Sequence, residues 1–174
     1  MKTLALALTA IVASTLVATP AKADEIFGGV YVHDVDTPFT LSGVEGGADI
    51  MLGWRGEPLT KLRLQQYLFV AVHTAGETHY GAFGISRKFG EKIFVRPGIG
   101  IAIHTGSSRN FEDPDNGKVD FGSRVLFAPE IAVGTQINER TSIEASWVHM
   151  STAQIFGKQN PGMDNFGVRL SVKF

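Results

Sequence analysis

The chain contains no cysteine among its 174 residues. That excludes a disulfide framework, a thiolate metal site and a cysteine nucleophile. Charge is sparse and evenly matched, with 16 Lys and Arg against 17 Asp and Glu, a net of −1. Without a basic surplus there is no electrostatic footprint for nucleic acid. Hydrophobic side chains make up 44% of the chain, too many for a disordered polymer. Glycine is abundant, at 20 residues, yet follows no three-residue period, so a collagen-like fold is excluded as well. The length suits one domain.

The N-terminus has the pattern of an export signal. Met1-Lys2 is a short cationic start, Leu4 to Val17 is an apolar run broken only by small polar residues, and Thr19-Pro20 breaks any helix. Ala21-Lys22-Ala23 then fits the small-x-small cleavage pattern. The run is too short for a membrane anchor. The sequence thus divides into a signal peptide, 1–23, and one domain, 24–174. Losing Lys2 and Lys22 leaves 14 basic side chains against 17 acidic ones in the mature domain, net −3. Export without cysteine suits a bacterial envelope protein.

Beyond the signal there is no long hydrophobic run. The longest unbroken one, Tyr67 to Val72, is far too short for a transmembrane helix. In its place a period of two recurs. Val44, Gly46, Ala48, Ile50, Leu52 and Trp54 alternate with a set that includes Glu45, Asp49 and Arg55. Ile93, Val95, Ile99, Ile101 and Ile103 oppose Phe94, Arg96, Gly98, Gly100 and Ala102. Val125, Phe127, Ile131 and Val133 oppose Arg124, Glu130 and Gly134, and Ile143, Ala145 and Trp147 oppose Ser142, Glu144 and Ser146. Phe166, Val168, Leu170, Val172 and Phe174 close the series against Asn165, Gly167, Arg169, Ser171 and Lys173. With less regular segments at Gly28–His33, Leu64–His73 and His79–Phe89, the chain reads as eight strands.

Alternation alone does not say which face points inward. A soluble barrel hides its apolar face, whereas an outer-membrane barrel turns it to lipid and keeps a polar interior. Three features favour the membrane barrel. The polar faces combine glycine and small residues with isolated charges, as a narrow eight-stranded lumen requires. Tight connections at Phe89–Lys92 and Gln136–Arg140 alternate with longer polar ones at Val35–Ser42, His104–Asp120 and Thr152–Gly162. The chain also ends on an apolar strand closed by Phe174, as outer-membrane barrels do. The expected fold is therefore all-β: an eight-stranded antiparallel transmembrane barrel in the bacterial outer membrane. Glu45, Asp49, Arg55, Arg96, Arg124, Glu130, Glu144 and Arg169 are expected in the lumen, paired with one another. Trp54, Trp147, Tyr31, Tyr67 and Tyr80 are candidates for aromatic girdles. Pro97 and Pro129 fall inside strands, which calls for bulges there. His33, His73, His79 and His104 show no metal-ligand spacing with carboxylates, so no metal or cofactor is expected. Gly98-Ile-Gly100-Ile-Ala lacks the βαβ context of a dinucleotide site.

The chemistry gathers near the C-terminus. By period two, His149 and Ser151 share the apolar face of Ile143, Ala145 and Trp147, and Asp164 shares that of Phe166, Val168 and Leu170. Adjacent antiparallel strands would bring Ser151 and Asp164 close. A serine hydroxyl becomes a nucleophile when a base takes its proton, and a carboxylate behind that base holds its tautomer. Such a relay on the outer wall makes sense for a lipid substrate. The spacing alone leaves a second reading open: polar residues at the membrane–water boundary, where they cost little.

The segments His149-Met-Ser151-Thr-Ala153 and Asn160-Pro-Gly162-Met-Asp164-Asn-Phe-Gly167-Val-Arg-Leu resemble the PagL family of lipid A deacylases, eight-stranded barrels with a membrane-facing His–Ser–acid triad. The resemblance implies Ser151 as nucleophile, His149 as general base and Asp164 as acidic partner, hydrolysing the ester-linked acyl chain at the 3-position of lipid A. It implies lipopolysaccharide and outer-membrane lipid as partners, and leaves a homodimer open. The chain departs from the family pattern at three places. Asp164 stands where Glu is usual and is displaced by one residue; Thr152, at the oxyanion-supporting position, replaces Asn; Gln154 replaces Gly. The alternatives are a non-catalytic barrel of OmpA or OmpW type, with a structural or adhesive role, and an acyltransferase barrel. The non-catalytic barrel predicts His149 and Asp164 too far apart to hydrogen-bond.

Overall fold

The computed structural model describes residues 24–40, 43–59, 61–110, 116–155 and 160–174; the signal-peptide segment lies outside them. The chain forms antiparallel segments β1 (Glu25–Val32), β2 (Ala48–Arg55), β3 (Gln65–His73), β4 (Tyr80–Ser86), β5 (Ile93–His104), β6 (Val125–Phe127), β7 (Glu130–Gln136), β8 (Thr141–Met150) and β9 (Met163–Lys173). Each pairs with its sequence neighbour, and β1 pairs with β9, which closes the sheet. Segments β6 and β7 are two parts of one strand. Both pair with β5 in a single register, Ile101 opposite Phe127 and Gly98 opposite Glu130. The result is the expected eight-stranded barrel.

Both prolines are accommodated without the expected bulges. Pro129 divides β6 from β7 because it has no N–H to complete the ladder, yet the flanking Ala128 exchanges both backbone bonds with Gly100. On its other side Pro129 accepts from His149 N but returns nothing to the His149 carbonyl. Pro97 lies beside the end of β4, where Arg87 N donates to its carbonyl and no ladder partner is needed for its nitrogen.

Alternation is kept around the whole wall. Val30, Leu52, Leu68, Val70, Phe83, Ile99, Ile101, Ile103, Val133, Val168 and Leu170 are exposed, and the residues between them are buried. In an aqueous protein such a continuous apolar surface would drive association; in a bilayer it is the contact with hydrocarbon. Tyr31, Tyr67 and Tyr80 are at most 3% exposed, so they fill the lumen and do not belong to a girdle. Their parity puts them inside with Phe27 and Phe69, whose ring stacks on Tyr67 at 5.9 Å. Space for Tyr31 comes from Gly167, where an added Cβ would lie 2.4 Å from the ring.

The lower lumen holds a closed ion network. Arg55 Nη1 donates to Glu25 Oε2 at 2.7 Å, and Arg169 reaches Glu144 Oε2 at 2.7 Å and Glu130 Oε2 at 2.9 Å. Arg96 bonds Gln65 Oε1 at 2.7 Å and lies 3.3 Å from Glu144 Oε1. Three guanidiniums face three carboxylates, and Arg55 and Arg169 also flank the Phe27 ring at 4.7 and 4.9 Å. Arg124 is the exception among the expected lumen charges. It is exposed in the loop before β6 and donates to the carbonyls of His104 and Gly106.

Chain ends and the connections 56–64, 87–92 and 137–140 share one end of the barrel. Connections 33–47, 74–79, 105–124 and 151–162 share the other, which by the rule of outer-membrane barrels faces the cell exterior. Glu144 touches all three guanidiniums, so Glu144→Ala leaves buried charge uncompensated. We expect it to lower unfolding free energy in detergent micelles by about 3–5 kcal/mol, read from urea titrations.

Candidate active site

The β8–β9 register places His149 directly opposite Asp164. Their side chains meet on the outer face, with His149 Nδ1 2.8 Å from Asp164 Oδ1. Both belong to the parity class of Trp147, Phe166 and Val168, so the pair stands on the wall that faces lipid, at its long-loop end. The non-catalytic reading required these groups to be apart; they are hydrogen-bonded.

Asp164 is completely buried although it lies on the outer wall. Three donors surround its carboxylate. Besides His149, Trp147 Nε1 donates to Oδ1 at 2.7 Å, and the Thr37 hydroxyl donates to Oδ2. Such charge-assisted bonds compensate the lost hydration of the anion and fix its plane. Nothing in the local sequence pointed to Thr37, because the loop that delivers it starts more than a hundred residues earlier. The chain after β1 folds back over the rim, with Val35 N donating to the Asp164 carbonyl at 2.7 Å and Asp34 N to Asn165 Oδ1 at 3.0 Å. The buried Asp34 carboxylate accepts Val44 N and Glu45 N, closing the loop. Burial pushes that carboxyl above its ordinary pKa, and the amide donors hold part of the rise back. An aromatic cap shields the pair: Trp147 lies 5.9 Å from the His149 ring, 6.2 Å from Phe166 and 6.1 Å from Phe39.

Ser151 follows on the same strand direction, two residues beyond His149. Its backbone is held by both bonds to Phe127, Ser151 N to Phe127 O at 3.0 Å and Phe127 N to Ser151 O at 2.7 Å. The strand then turns. Ile155 N donates to Thr152 O at 3.0 Å, and Ala153 and Gln154 both adopt left-handed backbone, φ 48° and 58°. These are the dihedral signs of a type I′ turn, unusual for non-glycine residues. Thr152 directs its amide (2.8 Å) and hydroxyl (3.1 Å) to Asn160 Oδ1. Its contacts therefore brace the turn after Ser151.

The histidines without obvious ligand spacing are a second finding. His33, Asp49 and His73 each offer an atom within 4.8 Å of the others, inside the lumen at the loop end. Linear spacing missed them because antiparallel register brings them together: Asp49 is the partner of His73, and His33 follows β1 on the neighbouring strand.

A family model described as Lipid A 3-O-deacylase (PagL) matches residues 47–173, which include His149, Ser151 and Asp164. None of the curated proteins matches the chain. The crystal structure of the outer membrane enzyme PagL is similar, at 18% identity and a TM-score of 0.53, covering 87% of this chain and 99% of that one. The backbone structure of the Yersinia pestis outer membrane protein Ail, in a phospholipid bilayer nanodisc, has 12% identity and a TM-score of 0.51, covering 88% and 100%. At such identities both structures speak for the fold alone.

Gly162 lets the returning loop approach the histidine. Its φ is +68°, and an added Cβ would lie 2.8 Å from Thr40 Cγ2 and 3.4 Å from His149 Cε1. Gly162→Ala should cost about 1–2 kcal/mol in urea unfolding. Gly46→Ala, where nothing lies within 4 Å, should be close to neutral.

Proposed function

The chain belongs to the PagL family of lipid A 3-O-deacylases, and on that premise we propose that it is an outer-membrane serine esterase releasing the ester-linked acyl chain at the 3-position of lipid A. The observation that carries the reading is the His149–Asp164 hydrogen bond on the lipid-facing wall, two residues from Ser151. A relay inside the lumen would meet no lipid; one at the outer rim meets the ester of a lipopolysaccharide whose chains lie in the bilayer.

In this mechanism Asp164 holds the Nδ1–H of His149, leaving Nε2 to accept the Ser151 proton. Ser151 Oγ attacks the ester carbonyl and a tetrahedral oxyanion forms. As the intermediate collapses, the bond from the carbonyl carbon to the sugar oxygen breaks and the imidazolium gives its proton to that oxygen, freeing the sugar hydroxyl and leaving an acyl-serine. Water, activated by the same imidazole, then releases the fatty acid and restores the serine. Asp in place of Glu keeps its contact with His149 because the two residues are direct register partners. Thr37 and Trp147 act through Asp164 by fixing its carboxylate. Oxyanion stabilisation falls to the backbone of the turn after Ser151, with Thr152 bracing that turn through Asn160.

Mass spectrometry of lipid A from cells expressing the protein should show loss of one ester-linked acyl chain. Ser151→Ala should abolish that loss, and His149→Asn should slow it by about 10⁴. Identical spectra from wild type and Ser151→Ala would leave a non-catalytic barrel as the function. Thr37→Val removes one charge-assisted bond, so kcat should fall about 10- to 100-fold, with recovery in Thr37→Ser.

A further inference from the structure

Behind the wall that carries His149 and Asp164, the loop end of the lumen holds a second cluster with no part in ester hydrolysis. Three inward-facing side chains, His33, Asp49 and His73, are all at most 2% exposed. Glu45, 3% exposed, reaches in from the loop between β1 and β2. His33 Nδ1 lies 2.9 and 3.0 Å from the two Asp49 oxygens, and its Nε2 lies 3.3 Å from Glu45 Oε2. The His33 and His73 rings are 4.4 Å apart. We propose that this cluster is a binding site for one divalent transition-metal ion of the zinc type, ligated by His33, Asp49 and His73, with the carboxylate of Glu45 on the far nitrogen of His33.

Geometry is the first argument. Two ligands on one tetrahedral zinc, with bonds of 2.0–2.2 Å, stand about 3.4 Å apart. His33 Nδ1 and the two Asp49 oxygens, 2.9 and 3.0 Å apart, come within a few tenths of an ångström of that separation. The three atoms of His33, Asp49 and His73, no more than 4.8 Å apart, lie within about 2.8 Å of a common point, so shifts under an ångström reach zinc bond lengths. His73 donates Nε2–H to the Gly46 carbonyl and accepts Glu77 N at Nδ1, each at 3.0 Å, so ligation would replace one of these contacts with the ion. A carboxylate on the far nitrogen of a ligating histidine, as Glu45 provides at His33 Nε2, is the usual outer support of such a site.

Charge is the second. In the lower lumen three guanidiniums balance three carboxylates, whereas no Lys or Arg among the described residues pairs with Asp49 or Glu45. Two buried carboxylates facing one imidazole leave a negative excess that a divalent cation neutralises. Imidazole and carboxylate together suit zinc-like ions rather than calcium or magnesium. Glu45 also lines a polar cavity of about 730 Å³ formed with Glu77, Thr78, His79 and Asp120, which reaches the edge of the cluster. Glu45 further accepts Thr78 N at 3.2 Å and Val119 N at 3.1 Å, so an ion that fixes His33 against Glu45 would tie three loops across the barrel mouth. Its role would be to stabilise that mouth.

The test uses untagged full-domain protein folded in detergent micelles, stripped with EDTA and titrated with ZnCl2 by calorimetry. One ion per chain should bind with a Kd in the micromolar range or tighter, and substitution by Co²⁺ should give the intense visible bands of tetrahedral cobalt. Asp49→Asn and His73→Gln should each weaken binding at least 100-fold and remove the rise in unfolding temperature that zinc gives the wild type, and Glu45→Gln should weaken binding about 10- to 100-fold. His149→Asn should leave both unchanged. Several weak millimolar sites, an adventitious ion only, would overturn the proposal, as would binding lost in His149→Asn but kept in Asp49→Asn. Should the His73 variant not fold, the Asp49 variant and the wild-type cobalt spectrum still decide.

Discussion

Closing eight antiparallel strands into a barrel forces every residue to choose between lipid and lumen, and the rest of this molecule depends on that choice. Successive side chains on a strand point to opposite faces, so a one-residue slip anywhere would send arginine into hydrocarbon and isoleucine into a packed polar interior. The register is accordingly unbroken, even past Pro129. Charges buried in the lumen have to be paired with one another. Arg55, Arg96 and Arg169 do so with Glu25, Glu130 and Glu144.

The outer-wall site is a local departure from this division, and its construction shows what such a departure requires. A carboxylate on the lipid side must have its lost hydration replaced. Asp164 receives three donors and no solvent exposure, from a histidine and an indole on the neighbouring strand and a hydroxyl on a loop folded over the rim. The same contacts that make the anion tolerable also orient the imidazole. Trp147 serves both sides of the division: its indole N–H binds Asp164, and its ring lies among Phe39, Phe166 and His149.

The Asp164 cluster and the luminal His33 cluster lie on opposite sides of the same wall, joined through the loop after β1. That loop delivers Thr37 to the outside and Glu45 to the inside, and it is closed by Asp34 between them. Ordering of the barrel mouth and alignment of the outer carboxylate are thus mechanically connected through one short segment.

Period-two patterning and the alternation of tight and long connections were enough to determine the barrel, its strand faces and the outward placement of His149 and Asp164, because side-chain parity along a strand is a local property. The family-like segments around His149 and Asp164 were legible for the same reason: they sit on adjacent strands joined by one loop. What lay beyond the sequence required contacts between distant segments. Thr37 on Asp164 and the meeting of His33, Asp49 and His73 follow from register, closure and the folding of the loop after β1 over the rim. Alternation tells which face a side chain occupies, but only the closed three-dimensional sheet decides which residues share a layer, and a site is made of residues in one layer.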